Sequence, residues 1–223
     1  LKAFYEPPDK FNQIILSKRQ TKNFSPVITN FFTMGKLINL LDEEISLDDL
    51  SIISPLNAST FDYYNFNMKD TAYYEGRRIF VLSFEPKSKI IPLFTGEIGI
   101  IDEIYLPLYA NLYGKNNIIS SLRREIKIEV KYAEFQNEYL MPVIIDEKYI
   151  FNISLPGFPP IYGTHNCLIS EYRINEPDFS FKFTKNIQTE KLLPESESKI
   201  LWENNQLIAL TADEKKASSK IDS

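Results

Sequence analysis

Apolar and polar positions alternate with a period of two along much of the chain, the pattern of strands that bury one face. The cleanest run is residues 124–132, where Ile126, Ile128, Val130 and Tyr132 alternate with Lys127, Glu129 and Lys131. It predicts a sided antiparallel sheet with one dry and one wet face. Before it, Phe80, Leu82 and Phe84 fall on one face and Ile79, Val81, Ser83 and Glu85 on the other, until Pro86 stops the strand. Phe94, Ile98 and Ile100 follow, and residues 104–113 form a further strand that Pro107 places near an edge or bulge. Tyr149, Phe151, Ile153 and Leu155 repeat the rhythm, residues 165–174 supply one more strand, and residues 11–18 an early one. One region departs from it. Leu37, Ile38, Leu40, Leu41, Ile45, Leu47 and Leu50 recur at three- and four-residue steps, and Ser46-Leu47-Asp48-Asp49 reads as an acidic helix start, so a helical insert is expected there. The aromatic run Phe61, Tyr63, Tyr64 and Phe66 leads out of it. The pattern sums to about seven strands in sequence, with this helical insert near the start.

Composition sharpens the β reading without naming a chemistry. The chain has 223 residues, 43% hydrophobic and 25% charged, and its 16 Phe and 13 Tyr against a single Trp suit pleated, half-buried surfaces. That length supports one sizeable core with an appended tail. A net charge of −5 with scattered cations gives no basic stripe, so no nucleic-acid partner is expected. The single Cys167 excludes an internal disulfide framework. No run of 18 apolar residues occurs, and a start at Leu1-Lys2-Ala3-Phe4 reads as a fragment or mature form.

Candidate chemistry is sparse. His165 and Cys167 are two apart, so on a strand they share a face, as a nucleophilic pair or half a metal site requires. Two ligands fall short of a tetrahedral site, and a satisfied strand pair is the simpler account. Neither HExxH, GxSxG, a Walker loop nor a dinucleotide glycine pattern appears. No catalytic residue, metal or cofactor is therefore assigned. Asp42-Glu43-Glu44 and Asp48-Asp49 read as a solvated face, and Arg77-Arg78 and Arg123-Arg124 as guards of the apolar strands they precede. The apolar faces are more suggestive by their quantity. Most of their residues read as packed core, but a sheet covered by only one or two short segments leaves part of its face as a groove. Phe80, Leu82, Phe84, Ile98, Ile100, Ile128, Val130 and Phe151 are the candidate ligand-binding positions.

Several stretches in order resemble the central region of a Gram-negative outer-membrane family. They are Pro8-Asp9-Lys10, Ser54-Pro55-Leu56 leading to Phe61-x-Tyr63-Tyr64, Gly76-Arg77, Pro86-Lys87, and Pro92-Leu93-Phe94-x-Gly96-x-Ile98-x-Ile100-x-Asp102. Downstream, Ser170-x-Tyr172-x-Ile174-Asn175, Trp202-Glu203-x-Asn205, Leu210-Thr211-x-x-Glu214-Lys215 and Ile221-Asp222-Ser223 continue the match. Members of that family join a carboxypeptidase-regulatory-like sandwich, a middle region and a C-terminal outer-membrane barrel. The middle region is similar to the half-barrel of periplasmic lipoprotein carriers. The resemblance implies an α+β fold, a curved antiparallel β-sheet wrapped around short helices. It divides the chain into a half-barrel domain over residues 1–180 and an extended or partly helical tail over residues 181–223. It further implies a periplasmic position, held to the outer membrane by a barrel outside this chain, and no active site. A lipid, acyl chain or lipoprotein on the concave face is the expected partner. The alternative is a spacer that recruits a protein partner at the outer membrane through a sheet edge.

Overall fold

The computed structural model describes residues 2–6, 10–15, 38–47, 50–116, 122–136, 138–153, 161–176, 187–190, 193–194, 196–197, 199–200 and 212–219. Contacts divide the chain into two compact units, one made of Leu1–Asn30 with Glu171–Ser223 and the other of Phe31–Ser170, a division distinct from the expected break after residue 180. In the first unit, β1 (Lys2–Glu6) runs antiparallel to β2 (Lys10–Ile15), and β12 (Ile187–Glu190) lies parallel on the other side of β2. Its described residues include a helix, Ala212–Ser219, in the tail expected to be extended or partly helical.

The second unit is an antiparallel sheet of seven strands in sequence order: β5 (Tyr64–Tyr74), β6 (Arg77–Pro86), β7 (Phe94–Ile101), β8 (Pro107–Asn116), β9 (Leu122–Phe135), β10 (Tyr139–Ile153) and β11 (Ile161–Leu168). It is open, since β5 and β11 do not pair with each other. The fold is thus mostly antiparallel β with very little helix.

The expected helical insert is a correction. Glu44–Leu47 and Leu50–Ile53 form a small hairpin, β3 and β4, in which Ile45 pairs with Ile52 and Leu47 with Leu50. Helix in this stretch is one turn, Thr60–Tyr63. The three- and four-residue steps of the leucines mimic a helical face, but Ile45-Ser46-Leu47 and Leu50-Ser51-Ile52 each also alternate, and strand pairing buries Ile45 and Ile52 together. Leu37, Asp48 and Asp49 lie outside the described residues. A second difference is β5, which the sequence reading left as a lead out of the helix. Its first half alternates, Tyr64, Phe66 and Met68 against Asn65, Asn67 and Lys69, but the exposed residues 70–74 beyond the bulge carry no apolar alternation. The strand predicted over residues 104–113 starts at Pro107, which takes the first position of the strand, where proline is tolerated, and the last one ends at Leu168.

The core is the face of the sheet that β3, β4 and the chain around them cover. Ile38, Leu40, Ile45 and Ile52 join Phe84, Phe94, Ile98, Leu112, Ile128, Val130 and Ile145 in one buried cluster. Hydrogen bonds fasten the cover to itself: Asn57 Nδ2 donates to the Glu43 carbonyl at 2.9 Å, Ser54 Oγ to the Leu40 carbonyl, and Thr60 Oγ1 to the Pro55 carbonyl at 2.8 Å. Tyr64, 1% exposed, fastens it to the sheet. Its hydroxyl donates to the Ile53 carbonyl at 2.7 Å and accepts from the Phe94 amide at 3.3 Å, while its ring meets Phe84 edge to face at 5.6 Å.

Four strand glycines each stand opposite an aromatic residue: Gly96 pairs with Phe84, Gly99 with Tyr109, Gly114 with Phe94 and Gly163 with Tyr149. At Gly99 an added Cβ would lie 2.2 Å from the Tyr109 ring, and at Gly96 1.9 Å from the Asn111 carbonyl oxygen and 2.9 Å from Phe84. The rings lie down on the backbone because nothing projects from it.

Two outcomes follow from this packing. Gly99→Ala forces the Tyr109 ring off the sheet and is expected to lower unfolding free energy by about 1–3 kcal/mol in denaturant titration. Burial pushes the Tyr64 phenol from 10.0 up to about 12. Its proton is held more tightly in the folded chain, so this stability is complete below pH 10 and is lost as pH rises towards 12. Melting curves across that range should fall more steeply for the native chain than for Tyr64→Phe, which itself costs about 1–3 kcal/mol at neutral pH.

Candidate functional site

Cross-strand register decides which side chains share the covered face. One row reads Phe66, Phe84, Gly96, Leu112, Ile128, Glu147 and His165 across the seven strands. The next reads Met68, Leu82, Ile98, Ala110, Val130, Ile145 and Cys167. Phe80 pairs with Ile100 in the row beyond. Phe80, Leu82, Phe84, Ile98, Ile100, Ile128 and Val130 therefore lie on one face, as their spacing predicts. Phe151 holds its place in β10 opposite Arg124 and Ile161, and its side chain lies outside the described residues.

Cover is uneven across this face. Phe84, Ile98, Ile128 and Val130 are buried and packed on the chain's own side chains. Phe80, Leu82 and Ile100 are only half-buried, and Met68, beside Leu82 on β5, is 60% exposed. The cover thus thins from the middle strands towards β5. A bulge between Met68 and Asp70 marks the same place, and Lys69 pairs there with Glu97 of β7.

At the opposite side of the sheet the apolar face carries a polar group. Glu147 is 3% exposed, and its Oε2 accepts the Tyr149 hydroxyl at 2.8 Å and lies 3.3 Å from His165 Nδ1. A buried carboxylate needs such partners to offset its lost hydration. Cys167 sits one row away on the same strand face as His165. Burial, reinforced by the Glu147 charge, pushes its thiol up to about 11, so it is protonated at neutral pH and a poor nucleophile. The His165–Cys167 pair is therefore a strand pair whose imidazole is engaged with a carboxylate. The sequence reading missed Glu147. The signal was present, since Ile145, Glu147 and Tyr149 share the parity of Phe151 and place an acid on the dry face.

The other charged candidates are surface groups. Asp42, Glu43 and Glu44 are exposed, and Ser51 Oγ donates to Glu44. Arg77 pairs with Glu134 at 2.9 Å and Arg78 with Asp102, its Nε 2.7 Å from Oδ2. The side chains of Arg123 and Arg124, the loop at residues 156–160, and Leu201-Trp202 lie outside the described residues. Among the described residues no group of three or more His, Cys, Asp or Glu side chains is placed to hold a metal ion, and no helix is long and apolar enough to cross a membrane.

The Cys167 environment is directly measurable. Alkylation of this single thiol should be slow at pH 8 and rise until about pH 11, and Glu147→Gln should move that rise to lower pH.

Among known families, one described as a family of unknown function, DUF5686, matches residues 1–172. No curated protein and no solved structure matches the chain.

Proposed function

The chain belongs to DUF5686, a family of unknown function, and we propose that its seven-stranded sheet is a non-enzymatic binding domain whose partly uncovered apolar face accepts an acyl chain, a lipid or the apolar part of a lipoprotein. The observation that carries this reading is the gradient of cover across one continuous apolar face, from fully buried Ile128 and Val130 to half-buried Phe80, Leu82 and Ile100 and exposed Met68. An apolar margin of this kind beside a packed core suits a ligand that is itself apolar and extended. The likeness to the half-barrel of lipoprotein carriers supports it, and with it a periplasmic site next to the outer membrane. Arg77 of β6 and Glu134 of β9 meet across the two strands between them at one end of the sheet, an arrangement consistent with a curved sheet.

A second reading, recruitment of a protein through a sheet edge, is favoured at β11 over β5. The bulge between Met68 and Asp70 and the Lys69 charge are the devices by which natural sheets block strand addition.

Titration of the full chain with a fluorescent fatty acid, followed by native mass spectrometry, tests the first reading. Saturable binding is expected, weakened about tenfold, or 1.4 kcal/mol, by Met68→Asp. Absence of saturable binding, or equal binding by native chain and variant, would overturn it.

A further inference from the structure

Three turns meet at one end of the seven-stranded sheet, and they share properties that the packing of the sheet does not require. The turns join β5 to β6, β7 to β8 and β9 to β10. Arg78 ties the first to the second through Asp102, whose amide also donates to the Arg78 carbonyl at 2.9 Å, and the Arg77–Glu134 pair ties the first to the third. Large apolar side chains stand out from them: Tyr73 is 74% exposed, Tyr105 69%, Tyr74 52%, Ile104 45% and Leu106 39%. Four non-glycine residues here, Glu75, Glu103, Tyr105 and Gln136, hold the left-handed backbone, with φ of 48°, 73°, 53° and 55°. That conformation is costly for a residue with a Cβ, and such outliers gather where a surface has work to do.

Charge selects the occupant. Both arginines at this end are already engaged by Asp102 and Glu134. Glu75, Glu103 and Glu138 are exposed, and no ion pair within 4 Å is formed by any of them among the described residues. The rim around the tyrosines is therefore net acidic. Such a rim repels an anionic lipid surface or a nucleic acid and attracts cations. We propose that this end of the sheet docks a polypeptide segment that sets Lys or Arg side chains beside Leu, Ile or aromatic ones. The exposed tyrosines, isoleucine and leucine supply the apolar centre of the contact, and the three glutamates its charged rim. This surface lies on turns and adjoins the apolar margin only where Arg78 lies over the Phe80 ring at 5.2 Å, and it stands or falls without Met68 and Leu82.

The test uses the full chain and a fluorescently labelled amphipathic peptide of Lys and Leu, with a Glu and Leu counterpart and phosphatidylcholine vesicles as competitors. Two triple variants carry the same change in net charge. One reverses the rim, Glu75→Lys, Glu103→Lys and Glu138→Lys, and keeps the same backbone demand because Lys and Glu both carry a Cβ. The other reverses the distant exposed acids Glu43, Asp62 and Glu85 to Lys. The Lys and Leu peptide is expected to bind, more weakly as salt rises, and to lose about tenfold in the rim variant against less than about twofold in the distant one. Tyr105→Ser, which leaves every charge in place, should weaken it as well. Equal loss in both triple variants would reduce the effect to overall charge and overturn the proposal. So would absence of binding, preference for the Glu and Leu peptide, or displacement of the peptide by the vesicles.

Discussion

The Tyr64 hydroxyl is where the cover of the sheet and the sheet itself become one structure. It accepts the Phe94 amide at the start of β7 and donates to the Ile53 carbonyl at the end of β4, so the hairpin cannot drift across the apolar face without breaking both bonds. The phenol suits this place because it is amphipathic. Its ring contributes apolar area against Phe84, and its one polar atom serves two backbone groups that lie away from water. Ser54, Asn57 and Thr60 do the same for neighbouring carbonyls, so the cover is apolar towards the sheet and satisfied in its own backbone.

With the cover fixed, the rest of the face divides into three environments. In the middle, Leu112, Ile128 and Val130 are closed off completely. Towards β11 the same rows end in Glu147, His165 and Cys167, where a carboxylate is kept among apolar residues by a phenol and an imidazole, and where the thiol is held protonated. Towards β5 the rows end in Met68 and Phe66 with less above them. The ligand site proposed above falls in that third region because burying apolar area still in contact with water is what an apolar ligand gains from. The polar group at the β11 side has the shape of a structural network instead, since Tyr149 and His165, which meet the Glu147 carboxylate, both lie within the sheet.

The end of the sheet with the three turns follows a different logic. Turns in an antiparallel meander need only polar residues and glycine, and Gly76 at φ 80° shows that the chain uses glycine where it can. Tyrosines, Ile104 and Leu106 exposed beside three exposed glutamates are a departure from that economy. The two pairs made by Arg77 and Arg78 hold the turns together and remove the positive charge that would otherwise balance the rim.

The sequence by itself determined the strands β6, β7 and β9, the last part of β10, and the common face of Phe80, Leu82, Phe84, Ile98, Ile100, Ile128 and Val130. It did so because a period of two is a local property that fixes which residues share a face, although not which face is buried: Ile79 and Val81, opposite Phe80 and Leu82 on β6, are buried as well. Only the tertiary structure decided that Ile45 and Leu50 belong to strands of a hairpin, since their spacing fits a helix equally well and cross-strand pairing settles the choice. It alone decided that β5 runs on through the exposed residues 70–74, which carry no pattern, and the partnership of Glu147 with His165, which are 18 positions apart and meet through register. How much of the apolar face stays open was likewise beyond the sequence, because burial depends on what packs above a residue, and Ile38, Leu40 and Ile52 reach that face from a segment distant along the chain.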